Sequence, residues 1–251
     1  MNAKPDLAGQ ATSLITEPGT RDLIWNDDTV GRFWAYYSQF PELYFSYRKG
    51  ADVARFLKKH LPEAGEVLDY GCGPGHFVPH LLDHGYRVTG ADFDVTTIGN
   101  GVTLAQREGF SGFFSVEELL QEGRRFDAVV MLEVVEHLDD YWLATMLRNA
   151  AELMRPGAVL VVTTPNEERL EDNMVFCPVS NLRFHRWQHM RSWSASSLSS
   201  ALSGAGFRGV STLTRNFREP REKSVPVWRH HMSRAASRLR KPQSLVAIAR
   251  K

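Results

Sequence analysis

The sequence predicts an α/β chain built on a doubly wound sheet of seven strands. Three observations predict it. From residue 66 onward, short apolar runs alternate with segments of helical period, the pattern of a sheet covered by helices on both faces. One run, Phe126–Leu132 (FDAVVML), is apolar almost throughout, as a strand buried on both faces should be. Another, in the stretch from Glu66 to Phe77, ends in an acidic residue and runs straight into Gly71, Gly73 and Gly75 before a helix. Such a turn lies where open α/β sheets bind small molecules, at the carboxyl end of the first strand.

Each element has its own warrant. Residues 1–50 read as an N-terminal extension and helical cap, polar over the first 30 positions and then dense in aromatics from Phe33 through Phe45. Those aromatics either pack on the domain or roof the ligand end. Residues 51–251 read as the ligand-binding domain. Val53, Phe56, Leu57 and Leu61 follow helical spacing, and Pro62 and Gly65 interrupt it. After the first strand, Phe77, Leu81 and Leu82 mark a helix stopped near Gly85. Tyr86–Asp92 is the second strand, Ile98, Val102 and Ala105 the next helix, and Phe110–Ser115 the third strand. Phe126–Leu132 is the fourth. A helix carrying Leu143, Leu147, Ala150, Ala151 and Met154 ends at Pro156-Gly157, and Ala158–Thr164 is the fifth strand. Ser194 caps a helix bearing Leu198, Ala201, Leu202 and Ala205. Phe207–Thr214 and Ser244–Arg250 are the last two strands.

The global numbers fit one enzyme-sized unit. A chain of 251 residues accommodates one α/β domain with additions. A net charge of +1 argues against a wholesale nucleic-acid binder. Cys72 and Cys177 are the only cysteines, so no disulfide framework is implied. Met1–Gln10 lacks an apolar leader, and no run approaches the ~20 residues needed to span a bilayer. The expected location is cytoplasmic.

The glycine loop selects among ligands. A dinucleotide fingerprint needs Gly-x-Gly-x-x-Gly, but the third position falls on His76. Asp69 precedes the first glycine by two residues and aims a carboxylate at the pocket. That suits an ammonium group better than a pyrophosphate. S-adenosylmethionine carries an ammonium, a sulfonium and no phosphate. Asp92 lies 21 positions after Gly71, close to the roughly 20-residue spacing at which an acid meets ribose hydroxyls. The alternative for Asp92 is a helix cap or turn. This segment resembles the glycine motif of the class I S-adenosylmethionine-dependent methyltransferases. The resemblance covers residues ~50–215 and the last strand. It implies a Rossmann-like, mostly parallel sheet whose final strand is antiparallel. It also implies a cofactor site of Asp69, Gly71, Cys72, Gly73, Gly75, Asp92, Phe93, Ser115, Val116, Leu132 and Glu133. Many relatives place an acid where Ser115 stands, so the Ser115 hydroxyl or backbone near Val116 would take over the adenine contacts.

A second constellation follows the fourth strand. Glu133, Glu136 and His137 converge if the segment makes a helical turn, where residues three and four apart share a face. Two carboxylates and an imidazole suit Mg2+, Mn2+ or Zn2+. The segment resembles ubiquinone-biosynthesis O-methyltransferases, and it also resembles small-RNA 2′-O-methyltransferases; in the latter a Glu-x-x-Glu-His run and a later histidine hold a metal that binds the acceptor hydroxyls. By that resemblance the metal ligands are Glu133, Glu136, His137 and His189, with His185 in reserve. Without a metal, His137 or His189 is the general base. The remaining alternative leaves Glu133 to orient the cofactor and the others to surface salt bridges. Cys177-Pro178-Val179-Ser180 is similar to a bacterial Cys-Pro-x-Cys segment but has serine at the second position. A zinc site needs about four good ligands, so Cys177 reads as a small buried apolar residue.

Residues 215–241 hold nine Lys/Arg against two Glu. Trp228, Met232, Ala235 and Leu239 give Val227–Leu239 the pattern of a basic amphipathic helix inserted at about 216–242. Such a helix packs on its own domain or on a homodimer partner, or binds an anionic surface or substrate. The expectation is therefore a methyltransferase acting on a small-molecule hydroxyl, a sugar or a phenol, with Glu136, His137 and His189 as catalytic residues. Its competitors are an RNA 2′-O-methyltransferase, an NAD(P)-dependent oxidoreductase and a non-catalytic scaffold.

Overall fold

The computed structural model describes residues 19–93, 104, 106–220 and 241–251. The expected helix at 98–105, apart from Leu104, and the basic helix 227–239 lie outside the described residues.

Seven strands form the main sheet: β2 (Glu66–Tyr70), β3 (Arg87–Ala91), β4 (Phe110–Phe114), β5 (Phe126–Leu132), β6 (Met154–Pro165), β9 (Arg208–Arg215) and β10 (Ser244–Arg250). Their order is β4-β3-β2-β5-β6-β10-β9. The first five run parallel, while β10 is antiparallel to both β6 and β9. This is the Rossmann-like sheet the sequence predicts. The winding direction reverses between β2 and β5, so their carboxyl ends open a crevice that neither crossover covers.

Alternation along each strand divides the core. Leu68, Val129, Met131, Leu160 and Val162 face one side. There they meet Leu143, Met146, Leu147, Ala150 and Leu153 of α5 (Asp140–Leu153), and Leu198 and Leu202 of α6 (Ala195–Gly204). Val67, Val88, Ala128, Val130 and Val161 face the other side. They pack on Val53, Ala54 and Leu57 of α2 (Phe45–Leu57) and on Val78, Leu81 and Leu82 of the short α3 (Val78–Leu82). Helix α2 runs through residue 50, where the sequence reading divides cap from domain.

Two boundaries differ from expectation. The helix expected to reach Met154 ends at Leu153, and Met154 begins β6 opposite Phe126. Pro156 and Gly157 therefore lie inside the strand's span, as an irregularity in the β5–β6 register rather than a stop before it. The sequence reading also missed a second, three-stranded sheet. It consists of β1 (Arg21–Asp22), β7 (Met174–Cys177) and β8 (Leu182–His185), in the order β1-β8-β7. It carries the 166–193 connection across the carboxyl end of the main sheet and joins it to the N-terminal segment. Among the described residues, no helix is long and apolar enough to cross a membrane.

Candidate active site

Every strand that contributes to the site does so from its carboxyl end. After β2 the chain turns through Gly71, Gly73 and Gly75 at φ values of 80°, 50° and 81°, a region that costs residues with a Cβ about 1–2 kcal/mol. The glycines differ in what surrounds them. A Cβ on Gly71 would lie 2.7 Å from Val134 Cγ2, and one on Gly75 would lie 2.5 Å from Phe113 Cζ. At Gly73 the nearest neighbour is Tyr44 Cε1 at 3.6 Å. The outer two glycines let the protein close on itself, and the middle one keeps backbone open beneath Tyr44. The Gly73 N–H donates to Asp92 Oδ2 at 2.7 Å, which ties the loop to the carboxyl end of β3.

Asp69 is buried, and its Oδ2 has no hydrogen-bond partner. Burial, reinforced by the nearby Asp92 carboxylate, pushes its pKa up to about 8. A buried acceptor without a partner is costly unless a ligand satisfies it. An ammonium would do so, and the donor set therefore fits the amino acid end of S-adenosylmethionine. Tyr44 covers this loop with its ring 5.3 Å from His76. Its phenol is pushed up by burial and by Asp92. Cys72 is buried, and burial raises its thiol. Phe93 is 71% exposed, with its ring 5.7 Å from Trp142. Ser115 is committed elsewhere. Its hydroxyl caps α4 (Val116–Gln121), accepting from the Glu118 N–H and donating to Glu118 Oε2. The Ser115 hydroxyl is thus engaged in the cap, which leaves the backbone near Val116 as the other contact expected for adenine. Val116 opens the helix, where N–H groups have no acceptor within it.

The segment after β5 corrects the expectation of a helical turn through Glu133. It is a 3-10 turn, Val135–His137, preceded by Glu133 in the left-handed region at φ 53°. The helical spacing that would unite Glu133 with Glu136 and His137 is absent. Glu133 Oε1 instead accepts from Thr163 Oγ1 at 2.8 Å. Burial, opposed by that bond and by the charge of Lys49, leaves its pKa near 7. It follows Leu132 at the end of β5 and precedes Val134, which packs against Gly71.

Glu136, His137 and His189 do converge, one ligand atom from each lying within 4.8 Å of the others. The surroundings fix their roles. Glu136 is buried; its Oε2 accepts from Thr164 Oγ1 at 2.9 Å, and its Oε1 has no hydrogen-bond partner. Burial, with Glu133 adding repulsion, drives its pKa well up. Burial, with repulsion from His189, lowers His137 to about 3, so that ring is neutral. His137 Nδ1 lies 3.4 Å from the Gln188 carbonyl oxygen and Nε2 lies 3.9 Å from Glu136 Oε1. Glu136 Oε1, without a hydrogen-bond partner, faces a neutral imidazole; a divalent cation that displaced the Glu136 proton would be held by both groups.

Sequence reasoning missed Glu168, Gln188 and Lys49, and it foresaw Trp34 only as one of the N-terminal aromatics. Glu168 accepts from His189 Nδ1 at 2.5 Å and lies 3.4 Å from His185 Nε2. Burial alone would raise its pKa, but its contacts with His185 and His189 prevail and hold it far below the usual range. Buried Gln188 donates its amide to the His137 carbonyl and accepts from Trp34 Nε1 at 3.1 Å. Trp34 stands edge-on to His137 at 5.1 Å. Lys49 is lowered by burial and sits in the field of Glu133. Position after a strand end could have flagged Glu168, three residues past Pro165; Gln188 and Lys49 come from contacts distant in sequence. The N-terminal aromatics thus roof the site through Trp34, Tyr37 and Tyr44, with Tyr37 against Trp187 at 5.8 Å. Cys177 is another correction. It is partly exposed at the end of β7, not buried, and hydrogen bonds from Ser180 lower its thiol. It belongs to neither acid–histidine cluster found among the described residues.

A family model described as "Methyltransferase domain" matches residues 41–212. A ubiquinone biosynthesis O-methyltransferase of Rhizobium leguminosarum bv. trifolii is 37% identical over 107 residues, covering 41% of this chain and 42% of that protein. The chain therefore spans about half the length of the curated relatives it matches. Among solved structures, a 1,6-didemethyltoxoflavin-N1-methyltransferase of Burkholderia thailandensis, with bound S-adenosylhomocysteine, superposes with a TM-score of 0.63 at 20% identity, covering 93% of each chain. A SAM dependent methyltransferase of Archaeoglobus fulgidus superposes with a TM-score of 0.54 at 20% identity, over 87% of this chain and 99% of the other. These similarities show the fold.

Proposed function

The chain belongs to the methyltransferase domain family, and from that premise we propose that it methylates a hydroxyl oxygen of a small molecule, using S-adenosylmethionine and a divalent cation. The observation that carries this reading is the convergence of the partnerless Glu136 Oε1 with His137 and His189, at the same sheet edge as Asp69 and the glycine loop. The relatives named O-methyltransferases favour an oxygen acceptor.

S-adenosylmethionine supplies a sulfonium-activated methyl group. Asp69 would neutralise its ammonium, Asp92 would accept from its ribose hydroxyls, and Gly71, Gly73 and Gly75 would admit it against backbone. Val116 and Phe93 would border the adenine. Glu136, His137 and His189 would hold Mg2+, Mn2+ or Zn2+, which lowers the pKa of a bound hydroxyl. Glu133, outside that set, orients the cofactor end of the pocket. The acceptor oxygen attacks the methyl carbon in line. The O–C bond forms as the S–C bond breaks, and the hydroxyl proton leaves to solvent. Much of the rate would come from holding both reactants in that alignment, under the roof of Trp34, Tyr37 and Tyr44.

A second reading rests on the Glu168–His189 contact. A carboxylate on Nδ1 leaves Nε2 able to take the acceptor's proton, as in other carboxylate–histidine pairs. Calorimetry with S-adenosylmethionine, NAD+ and NADP+ tests the donor; heat with the first alone is expected, and its absence overturns the reading. Activity lost on EDTA and restored by Mg2+ or Mn2+ supports the cation. Activity that survives EDTA but falls in His189→Ala supports the base instead.

A further inference from the structure

Two acid–histidine triads share His189: Glu136–His137–His189 and Glu168–His185–His189. Ligand count alone would let each hold a cation, with His189 between them. The hydrogen bonds distinguish the triads. His185 Nδ1 accepts from two backbone N–H groups, those of Trp187 at 3.3 Å and His189 at 3.1 Å. An imidazole nitrogen that accepts carries no proton, so in a neutral ring the proton sits on Nε2. That nitrogen lies 3.4 Å from Glu168 Oε1. A cation at the second triad would have to displace this proton while Nδ1 stayed tied to the backbone, leaving an imidazolate in a buried site. His185, the reserve ligand of the sequence reading, is thereby removed from the ligand set.

The same contacts act on His189. Glu168 Oε2 lies 2.5 Å from His189 Nδ1; an ionised carboxylate only accepts, so Nδ1 is the donor and Nε2 of the neutral ring keeps its lone pair. The stacked His185 ring, 4.6 Å away at 21°, fixes the plane. We propose that Glu168 and His185 are positioning residues that lock His189 in the tautomer with a bare Nε2, and that the second triad is not a second cation site. The proposal deepens the cation reading, and its first test needs no cation. Outer partners of this kind commonly set ligand orientation and affinity.

Long-range 1H–15N correlation spectra of the full chain, free of metal, report the tautomer of each ring. His189 should be protonated at Nδ1 and His185 at Nε2, and Glu168→Ala should move the His189 proton toward Nε2. A wild-type His189 protonated at Nε2 overturns the proposal even if no variant folds. So does a His189 tautomer unchanged in a folded Glu168→Ala variant. Titration with Co2+, followed by its visible absorption, then counts cations. One per chain is expected, with affinity weakened about 10–100-fold in Glu168→Gln and binding abolished in Glu136→Gln. Two per chain, with one lost in Glu168→Gln, overturns the proposal. No Co2+ bound by the wild type, with the expected tautomers seen, refutes the cation reading and leaves the lock standing.

Discussion

Asp69 and Asp92 sit at adjacent strand ends but do different work. Asp92 is tied to the Gly73 N–H, so it both shapes the loop and faces the pocket. Asp92→Ala should weaken S-adenosylmethionine binding by about 1–3 kcal/mol, as expected for losing hydrogen bonds to a charged group; unchanged affinity in calorimetry would refute the ribose assignment. Asp69 shows its role through pH. Its folded pKa of about 8 lies above the roughly 3.9 of an unfolded aspartate. The folded ligand-free protein therefore holds this proton more tightly than the unfolded chain. The resulting stability is complete below about pH 4 and is lost as pH rises through about 8. Compared with Asp69→Asn, the wild type should lose melting temperature steadily from pH 5 to pH 8.5. A constant difference between the two proteins across that range would show that Asp69 is not held protonated.

At the level of elements, the glycine loop divides into fold and function. Gly75→Ala places a Cβ 2.5 Å from the Phe113 ring at φ 81° and should destabilise the protein by about 2–4 kcal/mol, strain and overpacking together. Gly73→Ala meets nothing closer than 3.6 Å, so it should cost only about 1–2 kcal/mol yet impair donor binding. Chemical denaturation and calorimetry on both variants separate these outcomes; equal stability losses would contradict the division. The capping serine of α6 offers a simpler case. Ser194 Oγ accepts from the Ser197 N–H at 3.1 Å, and Ser194→Ala should cost about 1 kcal/mol in denaturation, with donor affinity unchanged.

Across the whole molecule, the N-terminal helix α1 (Asp27–Tyr37) is the loosely held part. It contributes no fully buried residue and is joined to the site through ring contacts and the Trp34–Gln188 hydrogen bond. The strands beneath are buried on both faces. Amides of α1 should therefore exchange with solvent well before those of β5. Trp34→Ala should widen that gap and lower activity while leaving the cooperative melt of the domain near its wild-type position. A melt that collapses in Trp34→Ala would make the cap part of the core. The cap is also where the sequence was hardest to read. Alternating patterns announced all seven strands of the main sheet and the glycine turn, because strand burial and left-handed glycines are local requirements. The 3-10 turn at Val135–His137 was not legible as such, since the same Glu-x-x-Glu-His spacing is compatible with a helix; the observed turn sends Glu133 to Thr163 and keeps Glu136 and His137 together.

Sequence alone determined the doubly wound sheet and its carboxyl-edge glycine loop, because these follow from short-range periodicity and from backbone requirements local to the chain. Only the tertiary structure decided which acids meet which histidines. Glu168, Gln188 and Trp34 join the site through contacts that depend on how the small sheet and the cap cross the strand ends. A proton's place on His185 or His189 depends on partners that folding brings within hydrogen-bond reach, and no spacing in the chain encodes it.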